Sequence, residues 1–174
     1  PSEIDGIALD ELIIEEEDIT ILEKRTDKPE YPKGYAVFNG KEVPFPSEGI
    51  STNKGTGRFI IYNGGLYYSK VSDEETSSSN ELIALVLARL AGLDNVVDVK
   101  LVKQQNGKYM TASEYLHGSK GIKTETPLED QIEDMDSLYQ IAALRYVLSA
   151  YDGNYGNWLV RDGKAYGIDF ENNN

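Results

Sequence analysis

The stretch from Arg145 to Glu171 constrains this chain more than any other. An apolar helical run, Arg145-Tyr146-Val147-Leu148, leads to Asp152. Asn157 follows at the head of a short apolar strand, Trp158-Leu159-Val160. Asp162-Gly163 then turns the chain, since both residue types tolerate left-handed backbone. A second apolar strand, Ala165-Tyr166-Gly167-Ile168, delivers Asp169-Phe170. Two strands joined by so tight a turn allow Asn157 and Asp169 to converge, with Asp152 on the loop before them.

Composition narrows what can surround that hairpin. A chain of 174 residues can bury one sizeable core. Net charge is -13, a field that repels nucleic acid and anionic membrane surfaces. It suits a soluble protein, and it would attract a basic protein partner. No cysteine is present, which excludes disulfides and thiolate metal sites. The single histidine, His117, leaves no histidine metal cluster and reads as a loop residue. There is no apolar run of membrane-spanning length and no signal-like leader. The expectation is a soluble, cytoplasmic protein, with export left open and the oligomeric state undetermined.

Upstream, residues 1–30 are acidic and mixed in period. They predict a short helix or extended arm, then a strand near Asp18–Leu22, with Glu15-Glu16-Glu17-Asp18 as a solvated face. Asn39-Gly40 predicts a hairpin with strands at about Gly34–Phe38 and Lys41–Pro44. Prolines on both sides mark residues 1–46 as an N-terminal extension, with the core beginning near Ser47. The segment Ser51-Thr52-Asn53-Lys54-Gly55-Thr56-Gly57 is rich in small residues. It reads either as a flexible surface turn or as a loop whose bare N–H groups cradle phosphates. It lacks the Gly-Lys-Ser/Thr opening of a Walker loop. A hairpin follows, turned by Asn63-Gly64-Gly65. Alternation in its second strand puts Tyr68 and Lys70 on one face and Tyr67, Ser69 and Val71 on the other.

The polar run Ser72–Asn80 reads as a capping loop, and Glu81–Ala91 as a helix ended by Gly92. Glu81 is that helix's only acid. It either complements the helix dipole or pairs with Lys70. Two further apolar runs, 95–103 and 107–114, flank Asn106-Gly107 as another hairpin. Pro127 predicts an acidic helix through Asp136, running on toward Tyr151 and feeding the terminal hairpin.

These residues can be weighed as chemistry. Phosphoryl transfer needs hard oxygen ligands for a metal, a cation on the phosphates and a carboxylate near the acceptor hydroxyl. Asn157 and Asp169 offer oxygens suited to Mg²⁺ or Mn²⁺. Asp152 can reach an acceptor. Lys70 supplies the cation, and Glu81 can orient it. The plain alternative is a β-hairpin with polar ends and ordinary turns.

The order Lys70, Glu81, Asp152, Asn157, Asp169-Phe170 resembles the protein-kinase-like superfamily. Gly156-Asn157-Trp158-Leu159-Val160, Ile168-Asp169-Phe170-Glu171 and the Glu81–Leu93 segment are most similar to its atypical branch, the phosphatidylinositol 3/4-kinase-like and HipA-like kinases. The resemblance covers about residues 47–171. It implies an α+β fold: a small antiparallel β N-lobe with one helix, about 47–116, and a reduced helical C-lobe, about 117–174, carrying a catalytic hairpin. It implies a Mg²⁺-dependent, ATP-using phosphotransferase, most simply an atypical protein kinase. Asp152, Lys70 and Glu81 would be catalytic, Asn157 and Asp169 would bind metal, and Ser51–Gly57 would cover the phosphates. Glu114, Tyr115 and Leu116 would form the hinge whose backbone reads adenine. Three departures stand out. Ala150-Tyr151 precedes Asp152 where His-Arg is usual. Asn154 occupies a position where the family carries Lys or His. The chain ends three residues after Glu171, which reads as a truncated or minimal member. The alternatives are a nucleotide-binding pseudokinase acting as an interaction module, and a phosphatidylinositol or small-molecule kinase.

Overall fold

A computed structural model describes residues 3–4, 7–22, 35–38, 40–44, 58–70, 75–148 and 158–168. The fold is mixed α+β, with a curled sheet and few helices. The acidic N-terminal region supplies strands β1 (Glu3–Ile4), β2 (Ile7–Ala8), β3 (Ile13–Glu15) and β4 (Thr20–Leu22), with 3₁₀ turns at Leu9–Leu12 and Glu16–Asp18. Strands β5 (Tyr35–Phe38) and β6 (Lys41–Pro44) pair around Asn39-Gly40, as the turn residues predict. Next come β7 (Arg58–Tyr62), β8 (Gly65–Lys70) and helix α1 (Glu75–Leu90). Strands β9 (Val99–Lys103) and β10 (Tyr109–Glu114) follow. The second half holds β11 (Lys120–Gly121), α2 (Leu128–Gln131), α3 (Met135–Val147), β12 (Trp158–Arg161) and β13 (Lys164–Gly167).

The main sheet has six strands in the order β3-β9-β10-β8-β7-β4. Its two edges, β3 and β4, are consecutive strands joined by the short Glu16–Asp18 turn. Five residues reach at most about 18 Å, whereas the edges of a flat six-stranded sheet lie roughly 24 Å apart. The sheet must therefore curl until its edges approach. The curl explains how Ile14, Ile60, Val102, Met110 and Ala112 form a buried cluster on one face. By register these residues share a face, and α1 packs on the other, so the sheet covers its own inner side.

This closure changes the reading of residues 1–46. The sheet takes both edge strands from residues 13–22, upstream of the expected core boundary near 47. β3 runs parallel to β9, a pairing that three residues of mixed period do not announce. The Glu run is mostly solvated, and Glu16 accepts a hydrogen bond from the Gln105 N–H at 2.8 Å, just past the β3–β9 pairing.

On the outer face, α1 lays Glu81, Ala84, Leu85 and Ala88 against the sheet, an i, i+3, i+4, i+7 stripe. The helix starts at Glu75, six residues before the expected start at Glu81. Once the apolar run nucleates it, each added residue gains a hydrogen bond, which offsets the weak propensity of Thr, Ser and Asn. The expected continuous helix after Pro127 is broken into α2 and α3. The break has a tertiary cause: the N–H groups of Glu133 and Asp134 both donate to the Gly163 carbonyl, at 2.8 and 3.0 Å. Asp134 then caps α3, its carboxylate accepting from the Ser137 N–H at 3.2 Å.

Two hairpins have the same local design. Asn63 and Gly64 (φ 46° and 74°) turn β7 into β8, and Asp162 and Gly163 (φ 51° and 74°) turn β12 into β13. Positive φ at both central residues is the type I′ turn that the sequence predicts.

Candidate active site

Lys70 ends β8. Its register partner is Thr111, which in turn pairs with Leu101. Position 70 therefore belongs to the outer face, where α1 lies. Glu81 is the seventh residue of α1, on the stripe that faces the sheet, and is only 3% exposed. That depth removes the dipole role, which needs a place in the first turn. A carboxylate so buried must be paired or hydrogen-bonded to stay charged. Beside register position 70, the Thr111 hydroxyl is 2% exposed and has no hydrogen-bond partner among the described residues. The outer face thus carries a buried acid on α1 and an orphan hydroxyl on β10, beside register position 70.

At the other end of β8 the outer face is aromatic. Phe59 and Leu66 are buried, with Leu22, Ile61, Tyr68 and Tyr115 packed around them. Phe59 meets Tyr68 with centroids 5.5 Å apart and Tyr115 edge-on at 5.6 Å. Burial raises the Tyr115 phenol above its ordinary pKa. His117 is exposed and packs edge-on against Tyr115 at 4.8 Å, in keeping with its loop reading.

The three expected hinge residues differ in what they offer. The Glu114 N–H donates to the Asp98 carbonyl at 2.8 Å, and the Tyr115 N–H to the Leu66 carbonyl at 2.9 Å. Neither is open to a ligand, because backbone pairing continues through Tyr115, one residue beyond the run that the hairpin pattern implied. The Leu116 N–H makes no hydrogen bond with any described residue. Its carbonyl closes a tight turn, accepting from the Ser119 N–H and hydroxyl at 3.3 and 2.7 Å. The Glu114 carboxylate instead accepts from the Asp98 N–H at 3.1 Å. Asp98 also accepts from the Tyr67 hydroxyl at 2.9 Å and lies 3.4 Å from the Lys100 ammonium. Burial first, and the Asp98 charge second, push the Tyr67 phenol well above its usual range. This cluster braces the ends of β8, β9 and β10 beside residues 114–116.

The connection from β4 to β7 contains Ser51–Gly57 and leaves the sheet between Leu22 and Arg58. Arg58 pairs with Ser69, so this connection emerges at the Lys70 end of β8, opposite the hinge. Ser51, Thr52, Asn53, Lys54, Gly55, Thr56 and Gly57 themselves lie outside the described residues.

The terminal hairpin forms as the sequence predicts. Asp152, Asn157 and Asp169 lie outside the described residues, but the strands that flank them are fixed. Trp158, next after Asn157, is the register partner of Gly167, two before Asp169. The chain thus enters and leaves the hairpin at one end. No cluster of three or more metal-ligating His, Cys, Asp or Glu occurs among the described residues.

Side chains hold the hairpin in place. Asn95 is fully buried and donates to the Ser137 and Ala165 carbonyls at 3.0 and 3.2 Å. Its own carbonyl accepts from the Gly167 N–H at 2.9 Å. Arg145, 5% exposed, donates to the Ile168 carbonyl at 2.6 Å and lies over the Trp158 ring at 5.3 Å. Sequence reasoning gave Arg145 and Asn95 no role. A signal existed for Arg145: it falls on the stripe of Leu138 and Ile141, where a charge needs a partner.

No known protein-family profile matches the chain, and no curated protein matches it. Among solved structures the chain is similar to that of a Helicobacter pylori proinflammatory kinase, CtkA. Identity is 20% and the TM-score 0.46, over 71% of this chain and 54% of that one. The chain therefore spans about half the length of that protein. At that similarity the likeness decides neither the lobes nor the chemistry of this chain. No described helix is long and apolar enough to cross a membrane.

Proposed function

We propose that this chain is an ATP- and Mg²⁺-dependent phosphotransferase of atypical protein-kinase type. The observation that carries the reading is the outer face of β8. Buried Glu81 on α1 and register position 70 share one face, and the Leu116 N–H, which no described residue uses, and the aromatic shelf lie at the strand's other end. From Leu66 to Lys70 a strand spans about 13 Å, the length of a nucleotide from base to phosphates.

In this reading the curled sheet with α1 is the nucleotide-holding lobe, and residues 117–174 form the reduced second lobe. Leu116 donates to the base, which stacks beside Tyr68 and Tyr115. Lys70, oriented by Glu81, holds the α- and β-phosphates, and Ser51–Gly57 covers them. Asn157 and Asp169 hold Mg²⁺ or Mn²⁺. The bound ion neutralises charge on the phosphates. Asp152 orients the acceptor hydroxyl, on a protein of basic character if the charge of -13 steers its encounter.

Phosphate transfer from γ-labelled ATP to candidate proteins, compared between the wild type and Asp152→Ala, tests this. The variant should lose about a hundredfold or more in rate. A second reading rests on Asn154, which leaves no cation two residues after Asp152. It is a nucleotide-binding module without catalysis. Tight ATP binding with no turnover in the wild type selects it and sinks the enzyme.

A further inference from the structure

We infer that Arg145 is a positioning residue, locking the open end of the terminal hairpin and so setting the geometry of the residues on either side of it. Two of its contacts fall on the two residues next to the expected metal ligands. The guanidinium donates to the carbonyl of Ile168, immediately before Asp169, and covers the ring of Trp158, immediately after Asn157. Arg145 sits in the last turn of α3, the helix that leads toward Asp152. One side chain therefore ties together the three segments from which Asp152, Asn157 and Asp169 emerge.

The residue type fits the task. A guanidinium stays charged at any working pH, and its planar fork can donate at its edge while its face covers an aromatic ring. Lysine, a point charge on a flexible stem, cannot do both. Burying that charge opposes folding unless partners compensate, and an apolar side chain of similar volume would often pack as well or better. The geometry therefore favours a role in orientation over one in stability. Groups that orient metal ligands from behind typically change metal affinity when removed.

This inference rests on the phosphotransferase reading, so its test is arranged to separate the two. Nucleotide affinity is measured for the wild type, Arg145→Met and Arg145→Lys with ATP in EDTA. Mn²⁺ affinity of each ATP-loaded protein is then measured by the spin signal of free Mn²⁺. Arg145→Met should weaken Mn²⁺ binding about tenfold or more, with ATP affinity in EDTA unchanged. Arg145→Lys should recover part of that loss. Unchanged Mn²⁺ affinity in Arg145→Met overturns the inference. So does a parallel loss of both affinities, which would mean general damage. Should Arg145→Met fail to fold, Arg145→Lys carries the test, with a smaller loss confined to Mn²⁺.

A wild type that binds no Mn²⁺ with ATP sinks the phosphotransferase reading itself. The lock is then judged by Trp158, the only tryptophan in the chain. Removing the guanidinium should raise acrylamide quenching of Trp158 fluorescence while leaving far-UV circular dichroism unchanged. Unchanged quenching in that case overturns the lock.

Discussion

The β7–β8 and β12–β13 hairpins begin from the same local instruction and are held by different physics. Both turn through a two-residue type I′ loop with Gly second. β7–β8 lies inside the six-stranded sheet, with β4 on one side and β10 on the other, so backbone ladders hold both of its edges. Among the described residues, β12–β13 has one two-residue neighbour, β11, and β13 has no partner strand beyond β12. Side chains and single peptide groups do the remaining work there. Asn95, Ser137 and Arg145 reach in, and the Glu133 and Asp134 N–H groups cap the turn carbonyl. A ladder is generic and insensitive to residue type. Polar ties are specific, so the second hairpin depends on a few residues, and these residues flank the proposed metal site.

Asn95→Ala should break this contrast most strongly. It removes two donors and leaves the Ser137 and Ala165 carbonyls without them in a buried site. Unfolding free energy should fall by about 2–3 kcal/mol, read by urea denaturation. Loss of Trp158 burial ahead of the main transition would show the second hairpin loosening first. Coincident transitions would mean that both hairpins belong to one cooperative unit.

The two turn glycines offer a matched pair. Alanine at either position carries the left-handed penalty, about 1 kcal/mol. A Cβ at Gly64 meets nothing within 4 Å, whereas one at Gly163 would lie 2.9 Å from the Glu133 Cβ. Gly64→Ala should therefore cost about 1 kcal/mol, the dihedral penalty alone, and Gly163→Ala about 2 kcal/mol, with the crowding added. Equal losses by denaturant midpoint would mean that the second turn is not packed against Glu133.

The smallest effect concerns the one surface ion pair on that hairpin. The Lys164 ammonium lies 2.6 Å from the Asp94 carboxylate. Hydrogen bonding to Lys164 holds the Asp94 pKa below its ordinary 3.8, and the same bond raises Lys164 above 10.5. For the acid, the depressed folded value means its contribution is present above the unfolded pKa and lost as pH falls through the folded one. For the lysine, the contribution is present below 10.5 and lost as pH rises beyond it. Asp94 is exposed and Lys164 partly so, so Asp94→Asn should cost below about 1 kcal/mol between those limits. The difference from wild type should shrink in high salt and vanish at low pH, as thermal melts across pH will show.

Much of the fold is legible in the sequence because some signals are local. Asn-Gly and Asp-Gly turns work through backbone preferences of the turn residues themselves, and four hairpins follow from them. The α1 stripe is legible for a similar reason, since period alone selects which face is buried. The failures share a cause as well. β3 is a three-residue strand defined only by its distant partner β9, whereas β4 falls within the strand expected near Asp18–Leu22. The break between α2 and α3 is imposed by the Gly163 carbonyl, some thirty residues downstream. At residues 114–116 the local pattern could not show which N–H groups would be paired. Which N–H groups remained open depended on where the ladder ended.

The sequence by itself determined the order of the proposed site residues, Lys70, Glu81, Asp152, Asn157 and Asp169. Tertiary structure alone decided three things. It buried Glu81 on the same face as register position 70, because the sheet curls and α1 covers its outer side. It left Leu116, of the hinge residues, with an unused donor, because the ladder takes up Glu114 and Tyr115. It placed Arg145 behind the hairpin's open end, because a buried charge settles where a carbonyl and an aromatic face are both within reach.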